Sequence, residues 1–290
     1  LLHEFRRQGS PFPAYTSIVA AGAHGCVLHY VENDGPIADG DLVLIDAGCE
    51  LEGYASDITR TFPANGRFSA PQRDVYQLVL DAQAAAEAAT RPGNGFMAPH
   101  DAAVRVLAQG LLDLKLLTGS LDEVLESESY KRFYMHRTSH WLGMDVHDAG
   151  EYKDGGAWKT LQPGMVLTLE PGCYIRPADD VPEAFWNIGI RIEDERTKGR
   201  VGFAAHAEVR QGRRHHRGLK ERTVSVVEVP IRRVDLGGEV REGAGYRHGT
   251  VRSGPISRGR APRSATAAPN AARKRSGAKR AALARASSAW

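Results

Sequence analysis

The chain has 290 residues, 42% of them hydrophobic, and can therefore bury a substantial core in one domain or two. No apolar run approaches the roughly 20 residues that a helix needs to cross a bilayer, so we expect no membrane-spanning segment. The three cysteines are odd in number and form no CxxC pair, which favours a reduced, cytoplasmic setting. The chain starts at Leu1 rather than at methionine, and this start predicts that an upstream segment is missing.

The formal net charge of +3 conceals a division along the chain. Residues 1–195 contain 15 lysines and arginines against 29 acidic residues, whereas residues 196–290 contain 23 against 6. One folded domain rarely divides its charge so sharply. We therefore predict two regions, a folded domain over residues 1–195 and a basic, low-complexity tail over residues 196–290.

The first forty residues predict short elements only. Residues 1–9 have the pattern of a helix that a glycine and a proline bring to an end. Residues 15–20 and 25–30 are short apolar runs separated by glycines, a pattern typical of strands. Residues 32–40 are rich in turn-forming residues and lead into the next strand.

Residues 40–62 predict a buried hairpin that carries two acids. Its first strand ends in Asp46, and its returning strand contains Asp57. If the turn is centred on Leu51 and Glu52, these carboxylates lie directly opposite each other, with Cβ atoms about 5 Å apart. Burying such a pair is costly unless divalent cations neutralise it or the two acids share a proton.

Two amphipathic helices follow this hairpin. Ser69 and Gln72 form the signature of a capping box at the start of the first helix, and Pro92 and Gly93 bring it to an end. A second helix over about residues 100–117 has apolar residues at the same helical period. Helices placed between hairpins predict an α+β fold with an antiparallel sheet rather than alternating βαβ units.

The hairpin recurs in the second half of the chain. Residues 164–173 align without a gap on residues 40–49, and the alignment places Glu170 on Asp46. Residues 187–195 form a second candidate return strand, in which Glu193 takes the role of Asp57. We therefore expect two halves related by a pseudo-twofold axis, with their acids converging between them. Four carboxylates are too many for a shared-proton pair and favour a site for two metal ions.

Three histidines lie close together in residues 135–150: His136, His140 and His147. A buried histidine is more often structural than a ligand, but here all three accompany a predicted carboxylate cluster. Neutral imidazole is the commonest nitrogen ligand of transition metals. One of the three can therefore join the carboxylates at an ion, which leaves the others to donate hydrogen bonds to a substrate.

Four stretches carry a resemblance to a known family: LVLIDAG…YASDITRTF, SHWLGMDVHDAG, VLTLEPGCYI and GIRIEDE. Over residues 1–195 the chain resembles the pita-bread metallopeptidases, and among them the bacterial Xaa-Pro aminopeptidases. The resemblance implies a creatinase/aminopeptidase fold with two pseudo-symmetric halves around a curved antiparallel sheet. It implies peptide substrates with proline at the second position, whose N-terminal residue is released. Prolidases, which cut Xaa-Pro dipeptides, are the closest alternative.

The resemblance also implies a set of metal ligands. Asp46 corresponds to a ligand of the first metal, whereas Asp57 and Glu193 correspond to acids that bridge both metals. His140 and Glu170 correspond to ligands of the second metal. The implied cofactors are two divalent ions, typically manganese in this subfamily. Oxygen-rich coordination with one imidazole suits manganese, and cobalt, zinc and iron remain alternatives on ligand type.

Further residues correspond to the catalytic and substrate-binding groups of the family. Glu170 is placed to move a proton from water to the leaving amine. His147 corresponds to a histidine that hydrogen-bonds the substrate during attack, and His29 and His136 to further histidines lining the pocket. Arg191 lies two residues before Glu193, so a strand would point both side chains to one face, where the arginine can offset negative charge. A solvent-facing arginine paired with a nearby acid is the alternative.

Three departures from the family pattern stand out. An N-terminal domain and an opening helix are missing, and the resemblance stops at Glu195. His136 is followed by Arg137 and Thr138, where the family usually has Gly-Leu. If that glycine has a positive φ, arginine there is unfavourable by roughly 1 kcal/mol and its bulk crowds the pocket. We therefore expect this chain, as it stands, to be a weak enzyme.

The basic tail allows three interpretations: native disorder, sequence translated out of frame, or a nucleic-acid-binding arm, of which the last is the least favoured. Two non-enzyme hypotheses remain as alternatives, a metal-free fold used for binding and an inactive fragment that associates with nucleic acid through the tail. All five ligand positions are filled, which argues against the metal-free fold. Association into a homo-oligomer stays open.

Overall fold

The computed structural model describes residues 1–197 of the chain, with side chains described up to residue 195. Residues 198–290 of the predicted tail lie outside the described residues, so the boundary at residue 195 stays a prediction. The helices are α1 (Leu2–Arg7), α2 (Ala70–Ala89), α3 (Ala98–Asp113) and α4 (Leu121–Glu126). Short 3-10 turns cover Gly22–Cys26, Ser129–Arg132 and Glu183–Phe185. Among the described helices, none has the length and apolar character to cross a membrane.

All described strand pairs are antiparallel, as expected for the α+β class. The strands of the first half are β1 (Phe12–Pro13), β2 (Ile18–Ala21), β3 (Leu42–Asp46), β4 (Cys49–Leu51), β5 (Tyr54–Ala55) and β6 (Thr59–Pro63). The strands of the second half are β7 (Lys153–Asp154), β8 (Ala157–Trp158), β9 (Val166–Leu169), β10 (Gly172–Ile175), β11 (Ile188–Arg191) and β12 (Asp194–Thr197).

The first hairpin is present, but its predicted register is wrong. The turn is centred on Glu52 and Gly53, with φ of 54° and 86°, and Leu51 pairs with Tyr54. Positive φ at both central residues gives the type I′ geometry whose twist matches that of the strands. Asp46 therefore pairs with Thr59 rather than with Asp57. Asp57 lies two residues away from the expected position, still on the same face of the sheet.

Asp57 faces Gly48 in this register, and no larger residue fits there. A Cβ atom on Gly48 would lie 1.7 Å from the carbonyl oxygen of Ser56. The two backbones are held close by Ala47 N–H, between β3 and β4, which donates at 3.0 Å to the carbonyl of Ile58, between β5 and β6. Glycine at position 48 is thus required by the close approach of the two backbones around Asp57.

The second hairpin has the same register as the first, but its acids occupy different positions in that register. Leu169 pairs with Asp194, and Gly172 pairs with Arg191. Two residues on each strand separate these pairs, so Glu170 and Glu193 face each other in register. Because Glu170 aligns on Asp46, whose partner is Thr59, Glu193 is the counterpart of Thr59 and not of Asp57 as expected. The counterpart of Asp57 is Arg191.

The two halves meet along β6 and β11. Thr59 and Glu193 form an antiparallel bridge, in which Glu193 N–H donates to the Thr59 carbonyl at 3.1 Å. Two residues further along, Arg191 N–H donates to Thr61 Oγ1 at 3.2 Å. Since Thr59 and Glu193 are counterparts, their contact lies on the pseudo-twofold axis. The expected duplication is therefore present in the structure.

Helix α2 forms as predicted, with Ser69 as its N-cap and a complete capping box with Gln72. Helix α3 begins at Ala98, two residues before the predicted start, and has a proline in its first turn. The two helices pack together and contribute ten buried residues to the apolar core next to the second hairpin. The capping box and the apolar periodicity together explain why this pair lies against the sheet.

The predicted strand over residues 25–30 is absent. Gly22–Cys26 forms a 3-10 turn instead, and Gly25 packs directly on the backbone of Gly189 in β11. A Cβ atom on Gly189 would lie 2.2 Å from the Gly25 carbonyl oxygen. This contact joins residues that are far apart in the sequence, so the local apolar pattern could not reveal it.

We predict that Gly48→Ala destabilises the folded chain by about 3 kcal/mol, because the added methyl group meets backbone rather than a movable side chain. Thermal or denaturant unfolding measures this loss. Gly95→Ala is the matched control, since no atom lies within 4 Å of its Cβ position and its φ is not positive. Equal stability of the two variants would contradict the close approach at Gly48.

Candidate metal centre

Five of the predicted site residues converge where the ladders of the two hairpins are interrupted. Asp46 ends β3, Asp57 lies between β5 and β6, Glu170 lies between β9 and β10, and Glu193 lies between β11 and β12. His140 comes from the loop that precedes β7. All five are buried, with between 2% and 8% of their surface exposed. Each hairpin therefore delivers two acids to one interior site.

The geometry of His140 suits a cation. Its Nδ1 donates to the carbonyl of Trp141 at 3.0 Å, so in the neutral ring Nε2 carries the lone pair. This Nε2 lies 3.2 Å from Asp57 Oδ2 and 3.6 Å from Glu170 Oε1. Ligand atoms of Asp57, His140 and Glu193 all lie within 4.8 Å of one another. Lone pairs directed at one another need a proton or a metal ion between them.

Tyr15 links two of the acids and is a residue that the sequence analysis missed. Its hydroxyl oxygen lies 2.5 Å from Asp46 Oδ1 and 2.5 Å from Asp57 Oδ1. A phenol has a single hydrogen to donate, so one of these contacts needs another proton or a cation. Burial, reinforced by the two aspartates, raises the pKa of Tyr15 well above its ordinary value. Tyr15 therefore stays a donor at neutral pH.

Burial and mutual repulsion disfavour the charged forms of the acids. Burial, followed by Asp46, raises the pKa of Asp57 well above its ordinary value. Burial and the neighbouring Glu193 raise the pKa of Glu170, and burial and Asp57 raise that of Glu193. Divalent cations would offset both the cost of burying the charged carboxylates and the repulsion between them. The donor set of four carboxylates and one imidazole thus fits a divalent-metal centre.

Arg191 neutralises part of this cluster. Its Nη2 donates to Asp46 Oδ2 at 2.6 Å, and its Nε donates to Thr59 Oγ1 at 3.1 Å. Thr59 in turn donates to Glu193 Oε2 at 2.6 Å. Burial alone would lower the pKa of Arg191, but Tyr174 and the acids outweigh it and hold the pKa above its ordinary value. The guanidinium is therefore a permanent charge inside the site.

His136 is connected to Arg191 through Tyr174, another residue that the sequence analysis missed. His136 Nδ1 donates to the Arg137 carbonyl at 2.8 Å, so its Nε2 accepts from the Tyr174 hydroxyl at 2.8 Å. The Tyr174 oxygen accepts from Arg191 Nη1 at 3.1 Å. Burial, followed by Arg191, lowers the pKa of His136 to about 3. His136 is therefore neutral, with its Nδ1 3.7 Å from Glu170 Oε2.

Arg137 does not strain the chain as expected. Its φ is not positive, and its guanidinium lies over the ring of Trp158 at 5.3 Å from the centroid. The Thr138 hydroxyl is buried and contacts Tyr134 at 2.6 Å and His100 at 3.0 Å. Aromatic stacking and hydrogen bonds therefore accommodate the two residues that depart from the family pattern.

The two remaining histidines lie at the exposed side of the cluster. The His147 ring packs edge-on against the His140 ring, with centroids 4.4 Å apart. Partial burial, followed by His140, lowers the pKa of His147 to about 4. Partial burial and Arg191 lower the pKa of His29, against the opposing effect of Asp46. Both rings are neutral at physiological pH and can exchange hydrogen bonds with a bound molecule.

Glu195 lies beside the carboxylate cluster and was not singled out from the sequence. Its Oε1 accepts the backbone N–H of Asp57 at 2.6 Å. Burial raises the pKa of Glu195 to about 7. A correct prediction of the hairpin register would have revealed both Thr59 and Glu195. Across the pseudo-twofold axis, Thr59 faces Glu193 and Glu195 faces Asp57. No sequence signal marks Tyr15 or Tyr174.

Known proteins are similar in sequence to the part of the chain that contains this centre. The Xaa-Pro aminopeptidase of Haemophilus influenzae is 54% identical over 194 residues, which are 67% of this chain and 45% of that protein. The Xaa-Pro aminopeptidase of Escherichia coli is 50% identical over 193 residues, which are 67% of this chain and 44% of that protein. The chain therefore spans less than half the length of these relatives.

The structure of the aminopeptidase PepP from Pseudomonas aeruginosa superposes with a TM-score of 0.66 and 58% sequence identity. The match covers 67% of this chain and 44% of that one. At this identity the likeness establishes the pita-bread fold that the sequence motifs predict. The model of metallopeptidase family M24 matches residues 1–197, which include every residue of the centre. The chain belongs to metallopeptidase family M24.

Proposed function

We propose that this chain is the catalytic part of a two-metal aminopeptidase that releases an N-terminal residue preceding proline. The observation that carries the proposal is the convergence of Asp57, His140 and Glu193, with ligand atoms within 4.8 Å of one another. Relatives named Xaa-Pro aminopeptidase at 50% identity and above support the substrate class. The free, buried cysteines at positions 26, 49 and 173 support a cytoplasmic setting.

The ligand assignment follows the resemblance in the motifs. Asp46 would hold the first ion, His140 and Glu170 the second, and Asp57 and Glu193 would bridge the two. The location of His140 Nε2, near Asp57 and Glu170, agrees with a place at the second ion. Oxygen-rich coordination with one imidazole suits manganese. When bound, two divalent ions would supply the Lewis acidity for activating water and polarising the scissile carbonyl.

The remaining residues bind the peptide and move the proton. Glu170 accepts a proton from the attacking water and delivers it to the proline nitrogen as the peptide bond breaks. His147 donates a hydrogen bond to the substrate as negative charge develops in the transition state. His29 and His136 line the pocket, and the hydrogen bonds of His136 to Tyr174 and to the Arg137 carbonyl fix the orientation of its ring. Arg191 orients Asp46 and balances its charge.

We predict that the chain binds two manganese ions and that Asp57→Asn abolishes both binding and turnover, because a bridging carboxylate serves both ions. Elemental analysis after reconstitution and removal of excess metal measures the stoichiometry. Asp74→Asn, at an exposed position on α2, is the matched control and should retain two ions. A content of one ion or none in the unmodified chain would refute the two-metal centre.

We predict that His147→Ala retains its metal ions but loses turnover by about 100-fold, as for the removal of one transition-state hydrogen bond. Metal content and peptide hydrolysis are measured on the same preparation. His3→Ala, exposed on α1, controls for the loss of an imidazole elsewhere. If the metal content of His147→Ala falls instead, His147 is a ligand and the assignment of His140 as the imidazole ligand is wrong.

We predict hydrolysis of Xaa-Pro-Xaa tripeptides in preference to Xaa-Pro dipeptides, as the names of the relatives imply. Release of the first amino acid from each peptide, with excess manganese, gives the comparison. Faster cleavage of the dipeptide would assign the chain to the prolidase type instead.

A further inference from the structure

Asp57 has an unusual backbone environment for a proposed bridging ligand. It lies outside the regular strands, between β5 and β6, where the ladder of the first hairpin is interrupted. Its N–H therefore has no partner in that ladder and donates to Glu195 Oε1 at 2.6 Å. Glu195 is 8% exposed and lies 138 residues further along the chain. A side chain of the second half thus supplies the hydrogen-bond acceptor for a backbone group of the first half.

The same contact occurs a second time, related by the pseudo-twofold axis. Asp57 and Arg191 are counterparts, because one faces Gly48 and the other pairs with the aligned Gly172. Thr61 and Glu195 are counterparts as well, because their partners Leu44 and Thr168 align in the two hairpins. Arg191 N–H donates to Thr61 Oγ1 just as Asp57 N–H donates to Glu195 Oε1.

The two related contacts differ in their acceptor. The hydroxyl of Thr61 accepts at 3.2 Å, whereas the carboxylate of Glu195 accepts at 2.6 Å. The shorter bond is found at Asp57, whose side chain belongs to the carboxylate cluster. Arg191 needs less support from its backbone, because its guanidinium is already held by Asp46, Thr59 and Tyr174.

We propose that Glu195 is a positioning residue for the metal centre: it accepts the N–H of Asp57 and thereby fixes where the Asp57 carboxylate lies between the two halves. This inference rests on the proposed metal centre. Loss of the acceptor leaves a buried N–H unsatisfied, and the chain around Asp57 must move to find another partner. The Asp57 carboxylate moves with it, whereas Glu193 keeps its own bond to Thr59.

The test compares Glu195→Gln and Glu195→Leu in the full 290-residue chain. Glutamine keeps an oxygen acceptor and removes the charge, whereas leucine fills similar space with no acceptor. Manganese affinity is measured from the electron paramagnetic resonance signal of free Mn²⁺. Glu195→Leu should weaken affinity by about 10- to 100-fold, the range for residues that support metal ligands, and Glu195→Gln should stay within a few-fold of the unmodified chain. Glu126→Leu, exposed on α4, is the control for losing a carboxylate elsewhere.

Two results would overturn the inference. Unchanged affinity in Glu195→Leu would mean that the bond to Asp57 does not position the carboxylate. Equal weakening in both variants would mean that the charge of Glu195 matters rather than its role as an acceptor. If the unmodified chain binds no manganese, the proposed function fails by itself, and hydrogen exchange of the Asp57 amide then decides the inference.

Hydrogen exchange needs neither metal nor activity. The Asp57 amide should be protected in the unmodified chain and in Glu195→Gln, and it should exchange faster in Glu195→Leu. Rapid exchange in the unmodified chain would overturn the inference. If Glu195→Leu does not fold, the comparison of the unmodified chain with Glu195→Gln remains: retained protection supports a hydrogen-bond acceptor role, and its loss refutes that role.

Discussion

Four carboxylates buried in one interior site are the constraint on which the rest of this structure depends. Burial and mutual repulsion raise the pKa of Asp57, Glu170 and Glu193, so the site cannot carry its full negative charge unaided. Arg191 is the buried cation that faces Asp46 at 2.6 Å. The protein thus balances part of the charge with its own groups, and the remaining charge fits divalent ions.

The pseudo-twofold axis explains where that balancing cation comes from. The two hairpins have equivalent registers, so an exact repeat would place an acid at both position 57 and position 191. Arg191 instead occupies the counterpart of Asp57, and Thr59 occupies the counterpart of Glu193. Each exchange replaces one acid of the symmetric arrangement by a hydrogen-bond donor. The site therefore has four acids and a cation rather than six acids, and the remaining donors connect them.

The sequence predicts those features that depend on local chemistry. The capping box at Ser69 and Gln72 and the period of α2 are local, and both are confirmed. The convergence of the acids could be predicted from the duplication alone, without the exact pairing of residues in each hairpin. The register itself was wrong because the turn lies one residue later than expected. The sequence Glu52-Gly53, with its glycine at a position of positive φ, is compatible with the turn that forms.

Other features depend on contacts between distant residues and could not be predicted. The run over residues 25–30 has strand-like composition, but the contact of Gly25 with Gly189 converts its beginning into a 3-10 turn. Tyr15 and Tyr174 look like ordinary core aromatics in the sequence. Only the packed structure places the Tyr15 hydroxyl on two aspartates and the Tyr174 hydroxyl between His136 and Arg191.

The interruptions in the ladders connect the fold to the chemistry. A continuous ladder would satisfy the backbone of every residue, and it would hold the side chains in fixed rows along the strands. At the interruptions the acids can instead converge on one point, but backbone groups such as the N–H of Asp57 are left for the other half to bind. Each half therefore completes the other. Two acids from either hairpin alone would leave the carboxylate cluster incomplete and the N–H of Asp57 without its acceptor, which is why the centre requires both halves of the duplicated fold.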